Sequence, residues 1–366
     1  MKTSSDSKPA EWSGESALLL GRYMVVTRAV ERFWLDWRTI METAGRELEA
    51  AGMIWHAASN EHDRWGLLQV AKPHWPKPFQ NGIHYEVWID HLKVAKTAAA
   101  LLYLDIEDGT LDTKDKEVIA EAVKRVLLPY EVAGVLQRET GCRLPYGPTC
   151  RLFEQSIPLA GITSMSLAQA FRRIAPISAL VDKAAFVRQG RPIWRTDFLP
   201  GDPKPKLTFS WPHGYPSDGG QSLQEGGGCL GNGSVRIDGT QKGNHNEANG
   251  RPTHIMTLDC TNAFANGEEV YLSCVLRASE PGKLWFLGEG HKVLPDGKLE
   301  FPPLLEAPHW HEIPVSAKPD WQHVGYRARV NSPADYSFAE GGAYVYLQTQ
   351  TKESNLTISS IEIGRC

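Results

Sequence analysis

The sequence predicts two joined domains: an α+β N-terminal domain followed by an all-β jelly-roll or β-sandwich domain. Three observations predict this. Apolar residues recur at helical spacing through Val26, Val30, Phe33, Trp34, Trp37, Ile40 and Met41. Short strand-like runs then give way to further helical stretches, the order that marks an α+β domain. Beyond residue 206 the texture changes to nine short strand-like runs separated by Gly, Pro, Asn and Asp, with no helical pattern among them.

Residues 1–12 are polar and read as a flexible tail, and the first domain spans 13–190. Within it, 15–51 reads as one or two helices, with Gly45 able to bend the element and Gly52 able to cap it. Strands are expected at Met53–Ala57, Trp65–Val70, Ile83–Asp90 and Ala99–Ile106. In the third of these the alternation puts Ile83, Tyr85, Val87 and Ile89 on one face and His84, Glu86, Trp88 and Asp90 on the other. A helix over 114–128 should end at Pro129 and another over 130–140 at Gly141. Ser166 should cap a helix over 167–174, and a last helix is expected over 177–188. Residues 191–205, with prolines at 200, 203 and 205, read as a stiff linker into a second domain, 206–366, expected to fold alone.

Composition narrows the function classes. Lys plus Arg and Asp plus Glu are 23 each up to residue 190, and 16 against 20 beyond it, so neither part has the cationic surface that grips a phosphate backbone. Nucleic acid is therefore not an expected partner. The apolar stretch 17–20 is short, and Arg22 interrupts it before Met24–Val26, which is too little for a secretory signal. No run approaches the roughly 20 apolar residues of a spanning helix. Synthesis in the cytoplasm is expected, and a virus particle assembled there is compatible. Six cysteines, none in a Cys-x-x-Cys pair, argue against a zinc knuckle. Cys142 with Cys150, and Cys260 with Cys274, are the pairs a disulfide would use; reduced thiols are the default.

Few constellations carry chemistry. Glu86 and Asp90 share a strand face, with Asp105 and Glu107 at the end of the next strand; such carboxylates could hold a divalent ion or act as a hydrolytic pair. The same face, with His84 and Trp88, also fits a sheet surface turned to water. His309 and His311 place two imidazoles on one side of a strand, short of the three or four ligands a metal needs. The segment Gly243–Gly250 has a superficial His-Asn-His look without the frame that motif requires. No nucleophile elbow and no phosphate loop occur, and no cofactor is expected.

Three passages carry a resemblance. Asn266 to Ala278 has a glycine turn, then Tyr-x-Ser, then a long strand; Pro319-Asp320-Trp321-Gln322-His323-Val324 opens a strand on Trp-Gln; Leu356 to Ile363 forms a closing strand. Together these resemble the jelly-roll, galactose-binding-like carbohydrate-binding modules. The resemblance implies a glycan ligand. It departs from those modules where Ser359 and Ser360 stand in the region of a calcium-side aspartate, and a hydroxyl is a poor substitute for a carboxylate toward a hard cation. Sugar rings stack their C–H faces on aromatics, which makes Trp285, Trp321, Tyr326, Tyr344 and Tyr346 the candidate ligand-binding residues. The expectation is a non-enzymatic attachment or assembly protein, a virion or tail component among such, with a glycan or protein partner on the second domain and a larger assembly on the first. The alternative is a hydrolase, glycosidase or metal-dependent nuclease, using the first domain's carboxylates.

Overall fold

The computed structural model describes residues 14–60, 64–75, 79, 82–106, 113–144, 151–208, 221–238, 253–259, 265–289, 292–300, 305–307, 311–331, 344–350 and 355–366. The chain forms two compact units. The first holds residues up to 79, 84–102 and 156–169; the second holds 80–83, 103–155 and 170–366.

The helix-plus-sheet region contains α1 (Gly14–Glu49), β1 (Ile54–Asn60), β2 (Trp65–Ala71), β3 (Ile83–Asp90), α2 (His91–Thr97), β4 (Ala99–Ile106), α3 (Thr113–Val132), α4 (Val135–Thr140), β5 (Arg151–Pro158), α5 (Ser164–Ile174) and α6 (Ile177–Val187). Five strands form a sheet in the order β1-β2-β3-β4-β5. Trp34, Trp37, Met41, Ala44 and Leu48 are the buried stripe of α1, spaced three and four apart as a helix face requires. The helix runs unbroken through Gly45. That glycine serves packing rather than bending: a Cβ there would meet the Trp55 ring at 2.4 Å.

Other helix ends differ from expectation. α3 continues past Pro129 to Val132. α5 is capped by Thr163 rather than Ser166: the Ser166 amide donates to Thr163 Oγ1 at 3.1 Å and the Thr163 amide to Ser166 Oγ at 2.8 Å, a reciprocal box. Gly141 does end α4, at φ +76°.

The β-rich region contains β6 (Arg191–Thr196), β7 (Lys206–Thr208), β8 (Gln221–Gln224), β9 (Ser234–Asp238), β10 (Thr253–Asp259), β11 (Glu269–Ala278), β12 (Gly282–Glu289), β13 (Lys292–Val293), β14 (Leu299–Glu300), β15 (His311–Val315), β16 (Lys318–Arg329), β17 (Tyr344–Gln350) and β18 (Asn355–Arg365). Two antiparallel sheets, β15-β12-β17-β10-β7 and β16-β11-β18-β9-β8, make a sandwich. Its core takes the even residues Val270 to Leu276 of β11, Leu284 and Phe286 of β12, and Ile358, Ile361 and Ile363 of β18.

The stretch expected as a linker is partly strand. β6 pairs antiparallel with β18 from Thr196↔Ile361 to Arg191↔Arg365, and 170–205 belong to the same compact unit as the sandwich.

One irregularity shapes the second sheet. Val275 lies opposite Ser360 but Leu276 lies opposite Ile358, so Ser359 is an extra residue, a β-bulge. The bulge explains how Ile358 and Ile361, of opposite parity, both enter the core.

Candidate functional site

The odd residues of β11 (Tyr271, Ser273, Val275 and Arg277) point away from the core, onto the outer face of the second sheet. That face has two ends with different fates.

At one end α6 lies on the sheet. Gly325 admits it, since a Cβ there would meet the Phe186 ring at 2.7 Å. Beneath the helix, charge is buried. Lys183 is fully buried, with Asp197 at 1% and Glu362 at 2% exposure. Lys183 Nζ lies 2.9 Å from Glu362 Oε2 and 3.5 Å from Asp197 Oδ1, and donates to Ser360 Oγ at 2.8 Å. Ser360 donates to Asp197 Oδ1 at 2.7 Å, and Arg195 Nε to Asp197 Oδ2 at 2.7 Å. Tyr271 donates to Glu362 Oε1 at 2.7 Å and Tyr130 to Asp197 Oδ1 at 3.2 Å. Two cations thus face two carboxylates, with hydroxyls filling remaining lone pairs. Burial pushes both carboxyls up, but Lys183 and Arg195 overcome it and hold Asp197 and Glu362 below their ordinary values. Lys183, Asp197 and Glu362 are buried, and the cluster ties α6 and β6 to the sheet.

At the other end the face is open, as a cleft of about 770 Å³. Gln224, Ser234, Arg236, Arg277, Lys318 and Asn355 are among its lining residues. The register makes a row across four strands: Ser222 is opposite Arg236, Arg236 opposite Thr357, and Thr357 opposite Arg277. The Arg277 guanidinium lies over the Trp321 ring, 4.9 Å from its centroid, a cation–π contact that steadies both. Arg236 Nη2 donates to Asn355 Oδ1 at 3.5 Å. Two guanidiniums, amides and hydroxyls therefore share one concave surface, and the Trp321 indole lies against Arg277 at its margin.

No family model matches the chain, and no curated protein does. Solved structures to which it is similar include carbohydrate-binding modules and a sugar-binding protein. A protein designated sugar-binding from Bacteroides thetaiotaomicron VPI-5482 is similar over 41% of this chain and 84% of its own, at 13% identity and a TM-score of 0.31. The CBM22-1 xylan-binding domain from Paenibacillus barcinonensis Xyn10C is similar over 48% of this chain and 95% of its own, at 14% identity and 0.27. A family 16 carbohydrate-binding module covers 43% and 96%, at 11% identity and 0.25. These are the class the sequence resembles; at such TM-scores they carry no argument about what this chain binds.

The expected ligand residues are distributed over different faces. Trp321 is partly exposed on the outer face, against Arg277 but outside the lining of the cleft. Tyr326, five residues on, has the opposite parity. It packs against the core and stacks on His311 with centroids 4.5 Å apart, so Trp321 and Tyr326 do not form one platform. Trp285, Tyr344 and Tyr346 sit on the first sheet. Trp285 is opposite Gln348, Leu287 opposite Tyr346 and Glu289 opposite Tyr344, which keeps the three in phase on adjacent strands; their side chains lie outside the described residues.

His311 is buried in the sandwich, while His309, Glu107, Cys150, Cys260 and the His-Asn-His-like segment lie outside the described residues. Cys142, Cys229 and Cys274 are buried free thiols, and Cys366 is an exposed one.

The carboxylate face is not turned to water as a solvated sheet would be. His84 and Glu86 are buried, at 0% and 4% exposure, and Asp105 is buried on β4. Glu86 Oε2 accepts from Gln69 Nε2 at 2.8 Å and lies 3.5 Å from His84 Nε2. Asp90 accepts from Trp88 Nε1 at 3.1 Å, and Trp88 stacks flat on Trp65 at 5.6 Å.

Sequence reasoning missed Arg236, Arg277 and Asn355 at the cleft. Arg277 had a signal: it sits at an outward position of a strand whose alternation was already legible.

Proposed function

We propose that the chain is a glycan-binding protein whose ligand lies in the cleft beside Trp321. The observation that supports this most is a concave surface of guanidinium, amide and hydroxyl groups bordered by a partly exposed indole that packs against Arg277. A pyranose offers an apolar C–H face and a ring of hydroxyls, and such a surface answers both. The test is a glycan-array screen of the full chain, repeated with Trp321→Ala. The variant should weaken the strongest interaction about 5–150-fold, as loss of one stacking ring does elsewhere, with an almost unchanged melting temperature. Undiminished binding by the variant would remove the cleft from the reading.

The attachment or assembly part of the reading, a virion or tail component among its forms, is supported by α1. Leu19, Tyr23 and Val26 are 59%, 65% and 61% exposed. They continue, at coiled-coil spacing, into Val30, Phe33 and the buried Trp37. The occupant proposed for this uncovered stripe is α1 of a second copy. Light scattering should report a dimer or higher species, and Leu19→Glu with Val26→Glu should return the monomer with its melting temperature intact, because exposed substitutions stay within about ±0.5 kcal/mol. A wild-type monomer at every concentration would sink the proposal.

A further inference from the structure

We infer that the cleft takes an acidic saccharide, one bearing carboxylate or sulfate groups. The inference rests on the glycan-binding reading and adds the charge class of the ligand.

Among the described residues lining the cleft, Arg236, Arg277 and Lys318 are cations and none is Asp or Glu. This is not a property of the region as a whole, which holds more acidic than basic residues beyond position 190. The positive charge is collected here against that background. Arg236 and Arg277 occupy outward positions on β9 and β11, one on each side of Thr357 of β18. Two strand spacings put their backbones about 9–10 Å apart. That separation leaves room for one sugar ring over Thr357 with an acidic substituent reaching either guanidinium.

The contacts that position the arginines are neutral ones. Arg277 lies on the Trp321 indole and Arg236 donates to the Asn355 amide. Each contact fixes the direction of a guanidinium while leaving its charge undiminished. A guanidinium so held presents parallel N–H donors to a carboxylate or sulfate at little further ordering cost. Trp321, partly exposed against Arg277, adds an apolar surface at the margin of the cleft that a simple anion site lacks. The cleft thus offers cations within it and an apolar ring at its margin.

The test uses the full chain and four probes: polygalacturonate as the carboxylate arm, heparin as the sulfate arm, neutral xylan, and poly-glutamate as an acidic polymer without sugar. The expected result is binding of at least one of the two acidic saccharides, weakened about tenfold or more by each of Arg236→Gln and Arg277→Gln. It should also weaken as salt rises from 50 to 300 mM, since screening reaches exposed pairs. Which arm binds identifies the anion. Both arginines are exposed, and unchanged melting of the variants serves as the folding control. Xylan binding that Trp321→Ala abolishes and the arginine variants leave intact overturns the acidic inference while the glycan reading stands. Poly-glutamate binding as tight as polygalacturonate and heparin also overturns it, by reducing the site to charge alone. Failure of polygalacturonate, heparin and xylan together, repeated across a glycan array, overturns both.

Discussion

Lys183→Ala is expected to cost about 3–5 kcal/mol of stability, the range for removing one partner from a buried ion pair. The lysine is fully buried between Asp197 and Glu362. Taking it away leaves two carboxylates in an interior with Arg195 as the remaining cation. The cost is therefore that of an uncompensated buried charge, larger than that of lost methylenes. Adding Glu362→Gln to Lys183→Ala should recover part of the loss, since the charge count balances again, and urea denaturation of the single and double variants reads the difference. A loss below about 1 kcal/mol for Lys183→Ala would mean that water reaches the cluster. The same network decides where the chain can be cut. A fragment beginning at Lys204 loses Lys183, Arg195, Asp197 and β6 together and should fail to melt cooperatively, whereas one beginning at Ala170 keeps them.

Acidification from pH 7 to 3 is expected to destabilise the second unit in two stages. Burial, with Lys183 adding to it, lowers the His323 pKa from 6.5 to about 3. Unfolded, this imidazole takes a proton near 6.5; folded, beside Ser273 Oγ at 2.9 Å and the Phe186 ring, it does not until about pH 3. Stability is thus lost steadily as pH falls through that window, on the order of 4–5 kcal/mol in all. Asp197 and Glu362 act lower. Their folded values lie below 3.8 and 4.5, so their contribution is complete above those unfolded values and is lost as pH falls beneath them. Melting temperature against pH should slope from about pH 6.5 downward in the native chain. In His323→Gln it should stay flat until about pH 4.5, and an unaltered slope in that variant would assign the upper stage to another group.

What was legible in the sequence follows from which signals are local. The eight strand-like runs from Ser234 onward correspond to β9, β10, β11, β12, β15, β16, β17 and β18 to within a few residues, because period-2 alternation and turn residues survive in short windows. β6 was hidden because prolines 200, 203 and 205 made 191–205 read as a linker, and β6 also contains Pro192. It is tolerated where β6 lies at the side of β18, next to a register shift at Gly364. The cleft was not legible, since Arg236, Arg277 and Asn355 meet there from three strands; Trp321 stood out by type, but its grouping with Tyr326 ignored that 321 and 326 differ in parity. The buried network was least legible, since Ser360 meets a lysine 177 positions earlier in the chain. Its trace was a lysine among Leu180, Val181, Ala184 and Val187, all buried.

The central place of β18 in its sheet, between β11 and β9, bears on how the protein is made. The strand supplied after all the others is the one on which β6, β9 and β11 each depend for a partner. While residues 355–365 remain inside the ribosome, those strands have unpaired edges and the core lacks Leu356, Ile358, Ile361 and Ile363. Such edges are aggregation-prone and long-range pairings close slowly. The sandwich is thus expected to close only after β18 emerges.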